Sequence, residues 1–256
     1  MSALILQPTV LSEVGLRGNN EDAAYASPRL VAVADGVGGA AAGELASNLA
    51  IMKMVSLDKR RLINPLETEF SDAVADANAV ISFATFYEPR HAGMATTLTA
   101  VAMANDGRYL VANVGDSRTY LLRDRRLSRL TRDDSLVQEL MDQGDLSESE
   151  ARAHPQRSVV LRVLDGGEQQ LLALRTVDAQ AGDRLLLCSD GVTDYLSDQQ
   201  VAEFLGLDDA AEAGRRLIDA ALESGSRDNV TAVVADVVAR EDPHEGWLDA
   251  LRQAEA

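Results

Sequence analysis

The sequence predicts an α+β fold: two packed antiparallel β-sheets with helices outside them, a four-layer αββα sandwich. Three observations predict it. Short apolar runs recur along the chain and are parted by tight turn signals, not by the crossover units a parallel sheet needs. Several runs, YLVANV at 109–114 among them, are nearly continuously apolar, as strands covered on both faces are. Segments of helical period lie between the runs, and such helices can cover the outer faces.

The elements follow in order. Residues 30–34 read as a first strand and 43–56 as a helix. Asn64 followed by Pro65 and Glu67 reads as a helix N-terminus, with Asn64 as the cap and Pro65 at the first helical position. Leu66, Phe70, Val74, Ala77 and Ile81 then recur every three or four residues, which is one apolar face. Strands are expected at 97–104, 109–114 and 119–123. Asn105-Asp106-Gly107 marks the first hairpin, and Gly115-Asp116 and Asp124-Arg125 punctuate the next ones. A helix is expected at 135–143, strands at 171–177 and 184–188, a helix at 209–224 and a last strand at 231–238.

The chain has 256 residues, 46% apolar and 25% charged, which excludes a mostly disordered polymer. No repeat or Pro- or Ser-rich linker divides it. Residues 1–239 read as one domain, and 240–256 as a polar tail whose Trp247, Leu248 and Leu251 form a short apolar stripe expected to dock on the body. Lys plus Arg number 24 against 41 Asp plus Glu, a net charge of −17. So acidic a chain argues against nucleic acid and against anionic membranes as partners. Cys188 is the single cysteine, so no internal disulfide forms and multi-thiolate zinc sites are excluded. It lies in an apolar run and reads as a small core residue. The N-terminus lacks a signal-peptide pattern, and no apolar run reaches the roughly 18 residues of a membrane span. A soluble cytoplasmic monomer is the expectation.

Five acidic clusters stand at the ends of predicted strands: Asn19-Asn20-Glu21-Asp22, Asp35-Gly36, Gly115-Asp116-Ser117-Arg118, Ser189-Asp190-Gly191 and Arg227-Asp228-Asn229. Each alone reads as a turn. Together they can converge on one sheet rim. Mg²⁺ and Mn²⁺ take oxygen ligands and keep several waters, and two such ions can hold a phosphoryl group for in-line attack. Carboxylates without His or Cys suit that chemistry.

These residues lie in longer motifs: GLRGNNEDAAYA (15–26), VAVADGVGGAAAGELAS (31–47), MATTLTA (94–100), ANVGDSRTYLL (112–122), LTRDDSLVQEL (130–140), LLLCSDGVTDYLS (185–197) and SRDNVTAVVADV (226–237). In this order they resemble the metal-dependent serine/threonine protein phosphatases of type 2C, in their bacterial form. The resemblance implies that Asp35 bridges two core metals, Mn²⁺ or Mg²⁺, with the Gly36 carbonyl on the second. It implies Asp190 and Asp228 as further ligands of the first, and Glu21 and Asp22 as holders of metal-bound waters. Asp116 resembles the extra carboxylate of a third site shared with Asp190, with Asp194 and Ser158 as weaker candidates. Arg17 matches the position that grips the substrate phosphate, which a planar guanidinium suits. Asp35, Asp190 and Arg17 are therefore the catalytic candidates. The implied mechanism is attack by a hydroxide bridging the metals, with no protein nucleophile. The implied partners are phosphorylated proteins, a cognate serine/threonine kinase and that kinase's substrates.

Three positions depart from the family pattern. Val37 stands where eukaryotic members carry His and many bacterial ones Met, which leaves the general acid unassigned. Ala40 and Asp134 stand where His is usual. The stretch 141–163 corresponds to the variable flap beside the site. Two rivals remain. Gly36-Val37-Gly38-Gly39-Ala40-Ala41 fits a dinucleotide-binding fingerprint, but hairpins follow it and Asp35 precedes it. A catalytically silent regulatory or binding module of the same fold is the other, although such a module should lose ligand carboxylates. His91, His154 and His244 lie outside the acidic motifs and read as surface or flap residues, and Ser117 and Ser189 have no neighbouring His that would make either a nucleophile.

Overall fold

The computed structural model describes residues 4–38, 40–61, 64–168, 172 and 174–240. His244, the tail from 241 and its Trp247, Leu248 and Leu251 lie outside the described residues. The elements run β1 (Leu4–Glu13), β2 (Asp22–Ala26), β3 (Leu30–Val37), α1 (Ala40–Lys59), α2 (Leu66–Tyr87), a 3-10 turn (Pro89–His91), β4 (Ala95–Thr96), β5 (Leu98–Met103), β6 (Arg108–Val114), β7 (Arg118–Arg123), β8 (Arg126–Arg129), α3 (Leu136–Gln143), α4 (Glu148–Ala153), β9 (Arg175–Asp178), β10 (Arg184–Cys188), α5 (Asp190–Thr193), α6 (Asp198–Leu205), α7 (Ala210–Glu223) and β11 (Val230–Ala239).

Two antiparallel sheets form. One has the order β1-β11-β10-β7-β8, and the other β2-β3-β5-β6-β9 with β4 on β3. Side chains alternate across a strand, and here both faces are apolar. Along β3, Leu30, Ala32 and Ala34 face α1 and α2, while Val31 and Val33 enter the core between the sheets. Along β10, Leu185 and Leu187 join that middle core, while Leu186 and Cys188 pack under α5, α6 and α7. Three cores therefore separate four layers, helix–sheet–sheet–helix, as the sequence predicts. The antiparallel order excludes the dinucleotide-binding sheet.

Local chemistry sets the ends. Gly107 closes the β5–β6 turn at φ 82, and Asp124 and Arg125 both take positive φ, 50 and 61, between β7 and β8, as a tight hairpin needs. Ser135 caps α3 and Asp209 caps α7. One expected cap is corrected. Pro65, extended at ψ 144, is itself the N-cap of α2 and makes no side-chain cap bond. Asn64 instead donates its N–H and Nδ2 to Glu69 Oε1 at 2.9 and 3.1 Å. The strand expected at 171–177 starts only at Arg175, and residues 171 and 173 lie outside the described residues.

Candidate active site

The candidate carboxylates leave the sheets at one rim. Asp22 opens β2 and lies opposite Asp35 of β3 in antiparallel register. Asp116 sits in the turn between β6 and β7, Asp190 follows β10 and opens α5, and Asp228 precedes β11. The sites that contribute thus belong to both sheets.

Hydrogen bonds hold the backbone there. Asp35 donates its N–H to Thr97 Oγ1 at 3.0 Å, and its carbonyl accepts from Thr96 Oγ1 at 2.9 Å. Glu21 donates its N–H to Asn229 Oδ1 at 2.8 Å, and its carbonyl accepts from Ser47 Oγ at 2.6 Å. The Asn229 amide donates to the Val14 and Asn19 carbonyls, both at 2.9 Å, so one buried side chain pins the segment that leads into Glu21. Asp22 Oδ2 accepts from Ser189 Oγ at 2.8 Å. Space matters as well. A Cβ on Gly43 of α1 would run into Glu21 Oε2 and the Gly36 backbone, and one on Gly36 would run into the Gly43 carbonyl. The sequence reading assigned no part to Asn229, Ser189 or Gly43 here; the only signal was their place inside the quoted motifs.

The electrostatics show that the acids are neighbours. Burial first, then the charges of Asp190, Asp22, Asp116 and Asp228, hold the Asp35 carboxyl well above the usual range. Burial and then Asp116, Asp194, Asp228 and Asp22 do the same to Asp190. Asp22 and Asp116 are each pushed up to about 6, again by burial first. Asp22 Oδ1 and Asp190 Oδ1 are buried without a hydrogen-bond partner, a costly state for a carboxylate oxygen. Among the described residues, no three His, Cys, Asp or Glu side chains form a closed ligand shell as they stand. Oxygen donors alone, mutual repulsion and two orphaned buried oxygens fit a hard divalent cation such as Mg²⁺ or Mn²⁺.

Other candidates fall around this cluster. Arg17 is half-exposed and pairs with Asp228 Oδ2 at 2.7 Å. Asp194 donates its N–H to the Asp190 carbonyl at 2.8 Å and faces Arg157 at 3.7 Å. Ser158 is exposed. Ser117 is buried and hydrogen-bonded to Thr97 Oγ1 at 2.7 Å. Burial pushes the Cys188 thiol up to about 12, so it stays protonated. His154 accepts at Nδ1 from the Gln156 N–H at 3.2 Å, whereas His91 buries its Nδ1 without a partner. Asp134 is buried, accepts from the Gly115 N–H at 3.2 Å and pairs with Arg162.

The chain is thus a two-sheet sandwich with an all-oxygen acidic centre at its rim. A model of the family "Protein phosphatase 2C" matches residues 19–235; the chain belongs to that family. It is 47% identical over 237 residues to the serine/threonine protein phosphatase PstP of Mycobacterium tuberculosis, covering 92% of this chain and 46% of that protein. The chain thus spans about half the length of that curated relative. It is 34% identical to the serine/threonine phosphatase stp of Listeria monocytogenes, over 81% of this chain and 84% of the relative. The crystal structure of the Mycobacterium tuberculosis phosphatase superposes with a TM-score of 0.88 at 45% identity, covering 92% of this chain and 100% of that one. A PstP catalytic domain in complex with two manganese ions superposes with a TM-score of 0.85 at 44% identity, covering 92% and 99%.

Proposed function

We propose that this chain is a phosphatase catalytic domain that hydrolyses phosphoserine and phosphothreonine in proteins with Mn²⁺ or Mg²⁺, reversing a bacterial serine/threonine kinase. The observation that carries this reading is the gathering of Asp22, Asp35, Asp116, Asp190 and Asp228 at one rim, where burial first and neighbouring carboxylates next raise the pKa values of Asp22, Asp35, Asp116 and Asp190. The manganese-bound relative supports it. Asp35 and the Gly36 carbonyl, with Asp190 and Asp228, are the residues that would hold two core ions, and Glu21 and Asp22 would hold their waters. Asp116, with Asp190 and Asp194, would hold a third. Bound there, such ions would supply Lewis acidity, making water more acidic and drawing charge off the phosphoryl oxygens.

The protein's own residues do the rest. Asn229 and Thr97 hold the backbone at Glu21 and Asp35, and Ser189 holds the Asp22 carboxylate, before substrate arrives, so little reorganisation is left for the transition state. Arg17, half-exposed at the rim, offers its guanidinium to the phosphate oxygens by sharing or leaving Asp228. Residues 1–239 are assigned to this domain and 240–256 to a polar tail. Phosphorylated proteins and the cognate kinase are its partners, in the cytoplasm, and it works as a monomer. Among the described residues no helix is long and apolar enough to cross a membrane.

The test is phosphate release from a phosphothreonine peptide, measured with Mn²⁺, with excess EDTA, and for Asp190→Ala. Release with Mn²⁺ that disappears in the other two supports the proposal. No release at any Mn²⁺ or Mg²⁺ concentration from folded protein refutes it in favour of a silent binding module.

A further inference from the structure

Helix α2 ends in an exposed aromatic face. Phe83, Phe86 and Tyr87 are 62%, 80% and 67% exposed, and this face holds two of the chain's four phenylalanines. The rings lean on one another. Phe83 and Tyr87 have centroids 4.3 Å apart, and Tyr87 meets Phe86 edge-on at 5.3 Å. An aromatic side chain offers about 150–250 Å², so this face leaves roughly 300–500 Å² of ring in water, the size of patches that mark interaction sites. An open groove of about 540 Å³ runs from Phe83 and Phe86 along α2, between Ala75, Ala79 and Ser82 on one side and Gly166 and Gly167 on the other. Both sides are fixed in advance. The Asn78 side chain holds the Gly166 N–H and the Gly167 carbonyl at 2.8 and 2.9 Å, and a Cβ on Gly166 would strike the Ser82 backbone.

Charge says what covers this face. Asp72 and Asp76 stand on the same exposed side of α2, four residues apart, a spacing at which like charges repel. Among the described residues neither makes an ion pair. At the aromatic end Arg90 is paired with Glu88 at 3.5 Å, so it adds no net charge. A second copy would bring its own Asp72 and Asp76, and a net charge of −17, against the same face. The tail 240–256 carries five acids against two arginines, so it is repelled as well. A basic partner is the one that the charges attract.

We propose that this face docks a basic amphipathic helix of a partner protein. The partner sets apolar side chains on Phe83, Phe86 and Tyr87 and lays Lys or Arg beside Asp72 and Asp76, a helix-in-groove arrangement. From Asp76 to Phe86 the helix rises about 15 Å, so the partner's basic residues stand about that far from its apolar anchor. Docking there uses none of the proposed metal ligands, so the proposal stands or falls apart from the function above.

The probe is a labelled helical peptide of Leu, Ala and Lys, with Leu at helical spacing in one half and Lys in the other. A second peptide carries Glu in place of each Lys. Both are titrated by fluorescence anisotropy into the full chain, with Mn²⁺ and with EDTA, and into Phe86→Ser and Asp76→Lys. Both positions are exposed, and circular dichroism checks that each variant is folded. The Lys peptide is expected to bind saturably and equally in Mn²⁺ and EDTA. Its dissociation constant should rise about tenfold or more in Phe86→Ser, the loss of an aromatic anchor. In Asp76→Lys it should rise about threefold to fivefold, while the Glu peptide binds that variant better than the wild type. No saturable binding, wild-type affinity in either variant, or binding lost when Mn²⁺ is added, which would place the peptide on the carboxylate rim, overturns the proposal. So does self-association of the wild-type chain in sedimentation that Phe86→Ser abolishes, because the occupant would then be a second copy.

Discussion

At Asp190 the chain keeps a carboxylate where folding alone disfavours one. The group is buried, its Oδ1 has no partner, and Asp116, Asp194, Asp228 and Asp22 all crowd it with like charge. Its pKa is raised in the folded state, so at neutral pH the ionised form opposes folding. An amide of the same shape removes the charge but also the ligand. Asp190→Asn is therefore expected to raise the melting temperature in EDTA while abolishing phosphatase activity, the pattern of a site that trades stability for function. Thermal melts and phosphate release on the same preparations check this; a lower melting temperature in EDTA would mean that the cluster is not self-repelling. The acids themselves were legible in the sequence, since Asp next to Gly, Asn or Ser at a strand end is a local pattern. Their supports were not. Ser189 reaches Asp22 across 167 residues and Asn229 reaches Glu21 across 208, and no local pattern announces such a bond.

Helix α1 carries its own demand at the element scale. Gly43 sits in its first turns, where Ala would ordinarily stabilise a helix by about 1 kcal/mol. Here a methyl group would push Glu21 Oε2 aside and crowd Gly36, 2.9 Å from its carbonyl carbon. Contact with rigid backbone outweighs propensity, so Gly43→Ala is expected to lower both the melting temperature and the activity, the latter by about tenfold or more, as misplacement near a reacting centre does. A variant as active and more stable would show that α1 can retreat from the sheet. The strands that were legible, β3, β5, β6, β7, β10 and β11, lie inside their sheets and are apolar on both faces. Those missed, β1, β2 and β8, are all edge strands. An edge strand pairs on one side only and tolerates polar residues and proline; β1 holds Pro8 opposite Ala235, and β8 reads RLSR. The two-residue β4 is too short to carry a period. Helix α6 was missed although Ser197 and Gln200 form a capping box at its start, because its eight residues show little more than one turn of apolar spacing.

Over the whole molecule, the acidic rim adds to what the two sheets already share, their apolar core and the buried Thr99–Thr119 hydroxyl pair at 2.7 Å. Asp22, Asp35 and Asp116 leave one sheet, and Asp190 and Asp228 adjoin strands of the other. Without a cation their repulsion works against the sandwich, and a bound ion would turn the same groups into a tie between its halves. A ligand that binds only the folded state stabilises it by about 2.7 kcal/mol at a hundredfold excess over its dissociation constant. For a domain of this size each kcal/mol moves the melting temperature by roughly 2–4 °C. Saturating Mn²⁺ is thus expected to raise the melting temperature by about 5–10 °C over EDTA. Asp190→Asn should lose most of that rise even though it starts higher. The comparison separates an ion that ties the sheets from one that binds loosely at an acidic surface, because a surface effect would survive in Asp190→Asn and fade with added salt. Equal melting temperatures in Mn²⁺ and EDTA for the wild-type chain would remove the tie and leave the packed cores and buried contacts such as Thr99–Thr119 to hold the sandwich.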